Sequence, residues 1–580
     1  MNSANQPVWS RSVSVWRTIF GGVLCGAILL LQGCNKEADK PTVAELQPEE
    51  TVVISLETTF QGLLPDEFEI NVPRDLPTSD IDEWGQEMLA DMVDPEVDEK
   101  QLAETLSKLL PAEVVERVLR RQFVLRDSTH IRDCLWAREV AESVTTEAKS
   151  ELDSVVDLFY FVVNTIHVVP TADSLPFGPF ESALYGTGTA EDRAWAFATL
   201  LRQRRIPTMV FADPASAAEQ KDPVTKNLLV GALLNDAIYL FDAGLGLPIA
   251  GPDEPATNDL VRQPATLNQL LDDSAVLANM GLGETSSYAI TPEQFKKLQP
   301  LIIGDSSVWS RRMEGLRNGQ PVDVKALIFE PLVSCGPFEG LVEIVSKHLS
   351  KVQPESNVGV WLYPEQQREA REAVSRNADQ SARLASLNDT FKVPQPIRVG
   401  LKSDEKNSDQ PKLEITFGAS WGTHRRGRID QIMGRPEHAI PAFLKVQDWR
   451  TMPPSPDDEP VDPRLKGLAE QQLPDEVKAR HLNAAEEALF WRAECQLQKR
   501  AYSSAASDLE GYLRQLQSAT SLYPGRFRSE ANYLAGFALA MSGNSRRGAA
   551  FMRNVDPEDS RYDASQWLVK RWTTQPGKSD

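Results

Sequence analysis

Residues 186–211, GTGTAEDRAWAFATLLRQRRIPTMVF, specify a helix, both of its ends and the strand that follows. Thr189 is placed to cap the helix, with Asp192 three residues on, the Thr-x-x-acid spacing of a capping box. Glu191 and Asp192 stand in the first turn, and Arg202, Arg204 and Arg205 in the last, as the helix dipole favours. Ala194, Phe197, Ala198 and Leu201 make an apolar face for burial. Pro207 ends the helix, and TMVF reads as a strand. The head of such a helix is a place where a cysteine gains thiolate character. Here it holds Ala190.

The flanking sequence supplies neighbours for this helix. Residues 152–167, LDSVVDLFYFVVNTIH, form a strongly apolar helix closed by His167, where a donor or cation suits the helix C-terminus. Downstream, LLVGALL and AIYLF flank Asn235-Asp236, a hairpin signal. The order is apolar helix, loop, capped helix, strand, strand, turn, and a strand ending in Asp242.

This order resembles the transglutaminase-like superfamily, a papain-like α+β fold. Members run roughly Gly-x-Cys-x-Asp-x-x-Ala, then Leu-Leu-Arg, then Gly-Ile-Pro. Gly188, Asp192, Ala194 or Ala196, Leu200, Leu201, Arg202, Ile206 and Pro207 fit that pattern, and Arg205 replaces the usual Gly. The resemblance places the family cysteine at Ala190 and the family aspartate at Asp242. The histidine falls on Asn227, or on Leu228 or Leu229 by hairpin geometry. In the family a thiolate attacks, the histidine handles the proton and the aspartate orients the histidine. Ala190 carries no nucleophile and Asn227 cannot shuttle a proton. No Cys occurs between Cys134 and Cys335, and no His between His167 and His348. The resemblance therefore implies a catalytically inactive domain over residues 151–255. The alternative is an active peptide-bond hydrolase or transferase with a relocated nucleophile. Cys335 precedes a helix, but His348 lies several turns along that same helix. Thr187 or Thr189 would still need a base, and none is visible.

At 580 residues the chain exceeds a single core. Its first 33 residues have Arg11 and Arg17 as their only charges, then the apolar run IFGGVLCGAILLL, and suit a signal peptide. The run ends in LQGC, which resembles the lipobox of bacterial lipoproteins and implies cleavage before Cys34 and lipidation of its thiol. Residues 34–97 read as a tether and loosely structured acidic region, and 98–150 as a helical region with Cys134 on its apolar stripe. Residues 256–350 read as a helical extension alternating with loops. Residues 351–452 mix strands such as VGVWLY and KLEITFG with a polar helix. The basic HRRGR, 424–428, reads as a solvated turn or an internal ion-pair donor. Residues 453–464 are a Pro-rich acidic linker.

In the last region, 465–580, Ala493, Tyr502, Ala505 and Leu509, and then Gly536, Gly543 and Phe551, take spacings that resemble tetratricopeptide repeats. Trp567 and Trp572 are placed to cap the last helix. Cys134, Cys335 and Cys495 are scattered without a CxxC pair, and the six histidines are scattered too, so neither a disulfide framework, a metal site nor a cofactor is expected. A net charge of −22 argues against nucleic-acid binding.

The expected architecture is α+β: a helical N-terminal region, a transglutaminase-like domain, a mixed middle domain and an all-α tetratricopeptide-like C-terminal domain. The expected protein is exported and anchored to the cell envelope through lipidated Cys34. The resemblance to sorted lipoproteins favours the outer membrane, because Asn35 follows the cysteine. It would bind peptide or protein partners at its groove and helical tail. Replacement of the lipidation site, Cys34→Ser, is expected to leave unprocessed precursor and abolish palmitate labelling. Normal processing with the label retained would overturn the lipobox.

Overall fold

The structure, a computed structural model, describes residues 98–213, 227–255, 259–281, 288–318, 326–353, 357–393, 397–404, 407–417, 422–448, 475–518 and 526–574. The signal peptide, Cys34, the tether and the Pro-rich linker lie outside the described residues. Among the described residues, no helix is long and apolar enough to cross a membrane.

Helices α1 (Glu99–Leu106), α2 (Ala112–Leu119) and α3 (Leu125–Val144) lead into α4 (Glu151–Thr165), α5 (Pro179–Tyr185) and α6 (Ala190–Gln203). Ser150 caps α4 by accepting from the Asp153 amide at 3.0 Å. Helix α6 forms as its sequence dictates. The Thr189 hydroxyl accepts from the Asp192 amide at 3.2 Å, and the Asp192 carboxylate accepts from the Thr189 amide at 2.8 Å. Its far end closes as a Schellman motif: the Arg205 amide bonds the Arg202 carbonyl, and the Ile206 amide the Leu201 carbonyl. Arg205 thereby takes φ 57°, a left-handed conformation that glycine adopts without strain.

Strands β1 (Thr208–Ala212), β2 (Leu229–Leu234), β3 (Ala237–Asp242), β4 (Leu247–Pro248), β5 (Gln299–Ile303) and β6 (Gly359–Trp361) form one sheet in the order β4-β3-β2-β1-β5-β6. The pairs are antiparallel except β5 with β6. Asn235 and Asp236, at φ 49° and 65°, make the two-residue turn expected between β2 and β3. The expectation of helices and loops alone across 256–350 is corrected by β5, which pairs with β1 in mid-sheet. Leu301-Ile302-Ile303 is a short apolar run between Pro300 and Gly304, and a run of that length does not by periodicity distinguish strand from helix.

Helix α4 lies against α6, and both meet the sheet through Phe159, Phe197 and Phe241, whose ring centroids are 5.0–5.2 Å apart. Further helices follow: α7 (Leu267–Asp272), α8 (Arg311–Asn318), α9 (Leu341–Leu349), α10 (Tyr363–Ala373) and α11 (Ala378–Phe391). A separate antiparallel pair, β7 (Ile397–Asp404) with β8 (Asn407–Phe417), precedes α12 (Thr423–Ile432) and α13 (Pro436–Gln447).

Among its described residues the tail is built of helices joined by turns: α14 (Asp475–Gln498), α15 (Tyr502–Ser518), α16 (Arg528–Met541), α17 (Ser545–Met552) and α18 (Tyr562–Thr573). Ala493, Ala505 and Leu509 are buried. A side-chain carbon built at Gly536 would lie 2.8 Å from the Gly548 carbonyl oxygen, so α16 and α17 touch backbone to backbone. The tail packs on the core through polar contacts. Glu494 of α14 bonds His167 at 2.9 Å and Arg428 of α12 at 3.1 Å. The Trp567 and Trp572 indoles donate to the carbonyls of Asn279 and Asp259 at 3.0 Å each.

Arg205 is exposed, so its left-handed backbone is not offset by buried contacts. Arg205→Gly is expected to stabilise the protein by about 0.5–1 kcal/mol, read as a rise in the urea midpoint. An unchanged or lower midpoint would remove the strain argument.

Candidate functional site

Ala190 is the first residue of α6 and presents a methyl group, 2% exposed. The residues on either side of it are tied to α10. The Tyr363 hydroxyl lies 3.0 Å from the Thr189 hydroxyl and donates to the Asp192 carboxylate at 2.9 Å. Tyr363 lies two residues after the end of β6, at the start of α10, and stacks on Trp361. Burial pushes the Asp192 carboxyl up to about 7, against the hydrogen bonds from Thr189 and Tyr363. Burial also raises the Tyr363 phenol.

The other two positions do meet. The Asn227 side-chain amide donates to Asp242 at 2.6 Å, and Leu229 pairs with Asp242 across the β2–β3 ladder. Of Asn227, Leu228 and Leu229, Asn227 is the residue whose side chain hydrogen-bonds the carboxylate. Asp242 also accepts from the Tyr288 hydroxyl at 2.5 Å and from the amides of Leu245 and Leu228 at 2.8 and 3.2 Å. Both carboxylate oxygens are engaged, and the side chain is fully buried. Burial raises the Asp242 carboxyl above the usual range despite four donors. Sequence reading missed Tyr288 and Tyr363, each distant in the chain and carrying no motif.

Ala190 is linked to this pair through Arg193, one turn along α6. Its guanidinium donates to the Ile166 carbonyl at 2.7 Å and to the Ala243 carbonyl, beside Asp242, at 3.1 Å. The helix head, the end of β3 and the segment after α4 are thus joined by one buried side chain. The arrangement offers donors, acceptors and a methyl group, all of them buried except the half-buried Tyr363.

Several other thiols and imidazoles are engaged elsewhere. Cys134 is buried against the His130 ring, and burial pushes its thiol up to about 12, far from thiolate. Cys335 is buried and accepts from Arg311 at 3.3 Å, while His348 bonds Asp236 at 2.7 Å. His167 is not a free helix end: it pairs with Thr187 as a short strand. In the basic stretch, Arg428 is the internal ion-pair donor and His424 is buried against the Thr390 carbonyl. Among the described residues, no group of three His, Cys, Asp or Glu is arranged to hold a metal ion.

A cleft of about 960 Å³ opens elsewhere, between α4, the 259–262 segment and the α14–α15 turn. Tyr160, Phe161 and Phe537 line it, with Asp153, Asp157 and Arg262 among its charged groups. Arg262 is paired with both aspartates. Comparison with protein-family models, curated proteins and solved structures finds no match to this chain.

The raised Asp192 carboxyl has a signed consequence. Between the usual carboxyl range near 4 and about 7, the folded state holds a proton that the unfolded state has released. Its contribution is therefore present at low pH and lost as pH rises through 7. Relative to Asp192→Asn, the wild type is expected to lose stability over that window, with a limiting slope of about 1.4 kcal/mol per pH unit. Parallel pH profiles for the two proteins would show Asp192 ionised throughout.

Proposed function

We propose that this chain is a membrane-anchored envelope protein whose transglutaminase-like domain has no catalytic role and which binds or scaffolds peptide or protein partners. One observation carries the reading. The place of the family triad is a closed hydrogen-bonded set, with Ala190 buried and Asp242 held by Asn227, Tyr288 and two backbone amides. A catalytic aspartate must keep an oxygen for its histidine, and an attacking group must be reachable. Here the oxygen that would serve the histidine is taken by Asn227, which cannot pass a proton on, and Ala190 is buried with only a methyl group. Partner binding falls instead to the cleft between α4 and the tail, where aromatic walls and paired charges border open space.

The test is amine incorporation and peptide cleavage by the purified protein, with and without a thiol-blocking reagent. No thiol-dependent turnover is expected, from the wild type or from Ala190→Cys. The introduced thiol is expected to alkylate more slowly than free cysteine in the native protein and fully after denaturation, because position 190 is buried. Robust wild-type activity abolished by the reagent would sink the reading and turn attention to Cys335 or Cys134.

A further inference from the structure

Two arginines from opposite sides of the core–tail junction lie side by side in the interior. Arg193 belongs to the first turn of α6 and Arg561 caps α18, and each is 1% exposed. A side-chain carbon built on Gly246 would lie 3.3 Å from Nη1 of Arg193 and 3.3 Å from Nη1 of Arg561. Both guanidiniums therefore face the bare flank of that glycine, whose φ of 76° marks the turn after β3. The third neighbour of that point is a methyl of Val163.

Carbonyl oxygens satisfy part of this pair. Arg193 has Ile166 and Ala243, and Arg561 donates through Nη2 to Val163 at 2.5 Å. Arg561 also lies over the Tyr533 ring and reaches toward Nδ1 of His167 at 3.5 Å. Nη2 of Arg193, and Nε and Nη1 of Arg561, are buried with no hydrogen-bond partner among the described residues. Buried cations are ordinarily paired, and two adjacent ones repel. The acids nearest in the field are Glu530 and Asp559. Glu530 is buried, and burial together with the neighbouring Asp559 raises its carboxyl above the usual range, which weakens it as a counter-charge. Asp559 accepts from the Arg561 backbone amide.

We propose that Arg193 and Arg561 form a buried site for a small inorganic anion of halide size, which bridges the two guanidiniums beside Gly246 and fastens the tail to the core. The burial of both side chains excludes a peptide carboxylate or a nucleotide phosphate. A compact anion beside Gly246 supplies the missing charge and accepts from the unpartnered Nη1 of Arg561 and from the second N–H of Arg193 Nη1, whose first is used by Ala243. Site and fastening are one device, because one arginine comes from each side of the junction.

The test uses the whole mature protein. Urea midpoints are compared in sodium chloride, sodium bromide and sodium gluconate at equal ionic strength. The midpoint is expected to rise with each tenfold increase in halide and to stay level in gluconate, as for a ligand that binds the folded state. The halide dependence is expected to vanish in Arg561→Met and to steepen in Glu530→Gln, which removes the competing negative charge. Should Arg561→Met fail to fold, broadening of the ³⁵Cl resonance by the wild type, reversed by excess bromide, reads the same site. Equal midpoints in halide and gluconate without line broadening would overturn the proposal and leave water as the partner of these N–H groups. A halide dependence that persists in Arg561→Met would overturn it as well.

Discussion

Burial of α6 on nearly every side governs the arrangement around it. From Ala190 to Arg202, every residue but Glu191 is buried. A buried polar side chain must find its partners inside the protein, and this helix carries several. Each draws in a different part of the chain. Asp192 holds Tyr363, Arg193 holds the carbonyls of Ile166 and Ala243, and Arg202 bonds Glu330 and the Ile303 carbonyl. The segments that sequence reading placed in separate regions, 256–350 and 351–452, thus meet on one helix. The sheet repeats this: β1, β2 and β3 are extended by β5 and β6 from those same regions.

The same requirement shapes the place where the resemblance puts a catalytic triad. Asp242 has no solvent to turn to, so its charge is spread over side-chain and backbone donors. Asn227 matches a histidine in offering an N–H to the carboxylate, and differs in being unable to pass a proton on. Tyr288 takes the position of a second donor. Removing one partner from such a set would leave a buried acceptor short, a cost of about 1–3 kcal/mol. The set is self-sufficient, since both oxygens of Asp242 are engaged by groups of the protein itself.

What was legible in the sequence was local. Thr189 and Asp192 announce the capping box, Pro207 the end of α6, and Asn235-Asp236 the hairpin, because each signal lies within a few residues of its effect. Even the odd Arg205 was visible as a residue in a glycine's place, and the backbone there is left-handed. What was illegible was long-range. His167 meets Glu494 from 327 residues away, and Asp242 meets Tyr288 from 46. Periodicity says which face of an element is buried, but not which element covers it. The sequence left Asn227 open against Leu228 and Leu229 for a related reason: residues before a strand have no pleat to fix where they point, and it is the Asn227 side chain that bonds Asp242.

The tail follows from the same logic carried across the junction. Had it been a separate bead, its inner face would be apolar or solvated. Instead α14 buries Glu494, which carries its carboxyl up to about 7 while His167 is held neutral by burial and surrounding arginines. Arg428 and Gln431 of α12 bond the other oxygen of Glu494. Each of these groups would be costly to bury alone, and each is bearable because the others are present. Separating tail from core would expose Glu494 and Arg561 on one side and leave His167 and Arg193 without their neighbours on the other. The polar joint therefore makes docking close to all-or-none. It also sets the tail, through Arg561, against the turn that leaves Asp242, so the closed site at α6 and the attachment of the tail share the residues from Ala243 to Gly246.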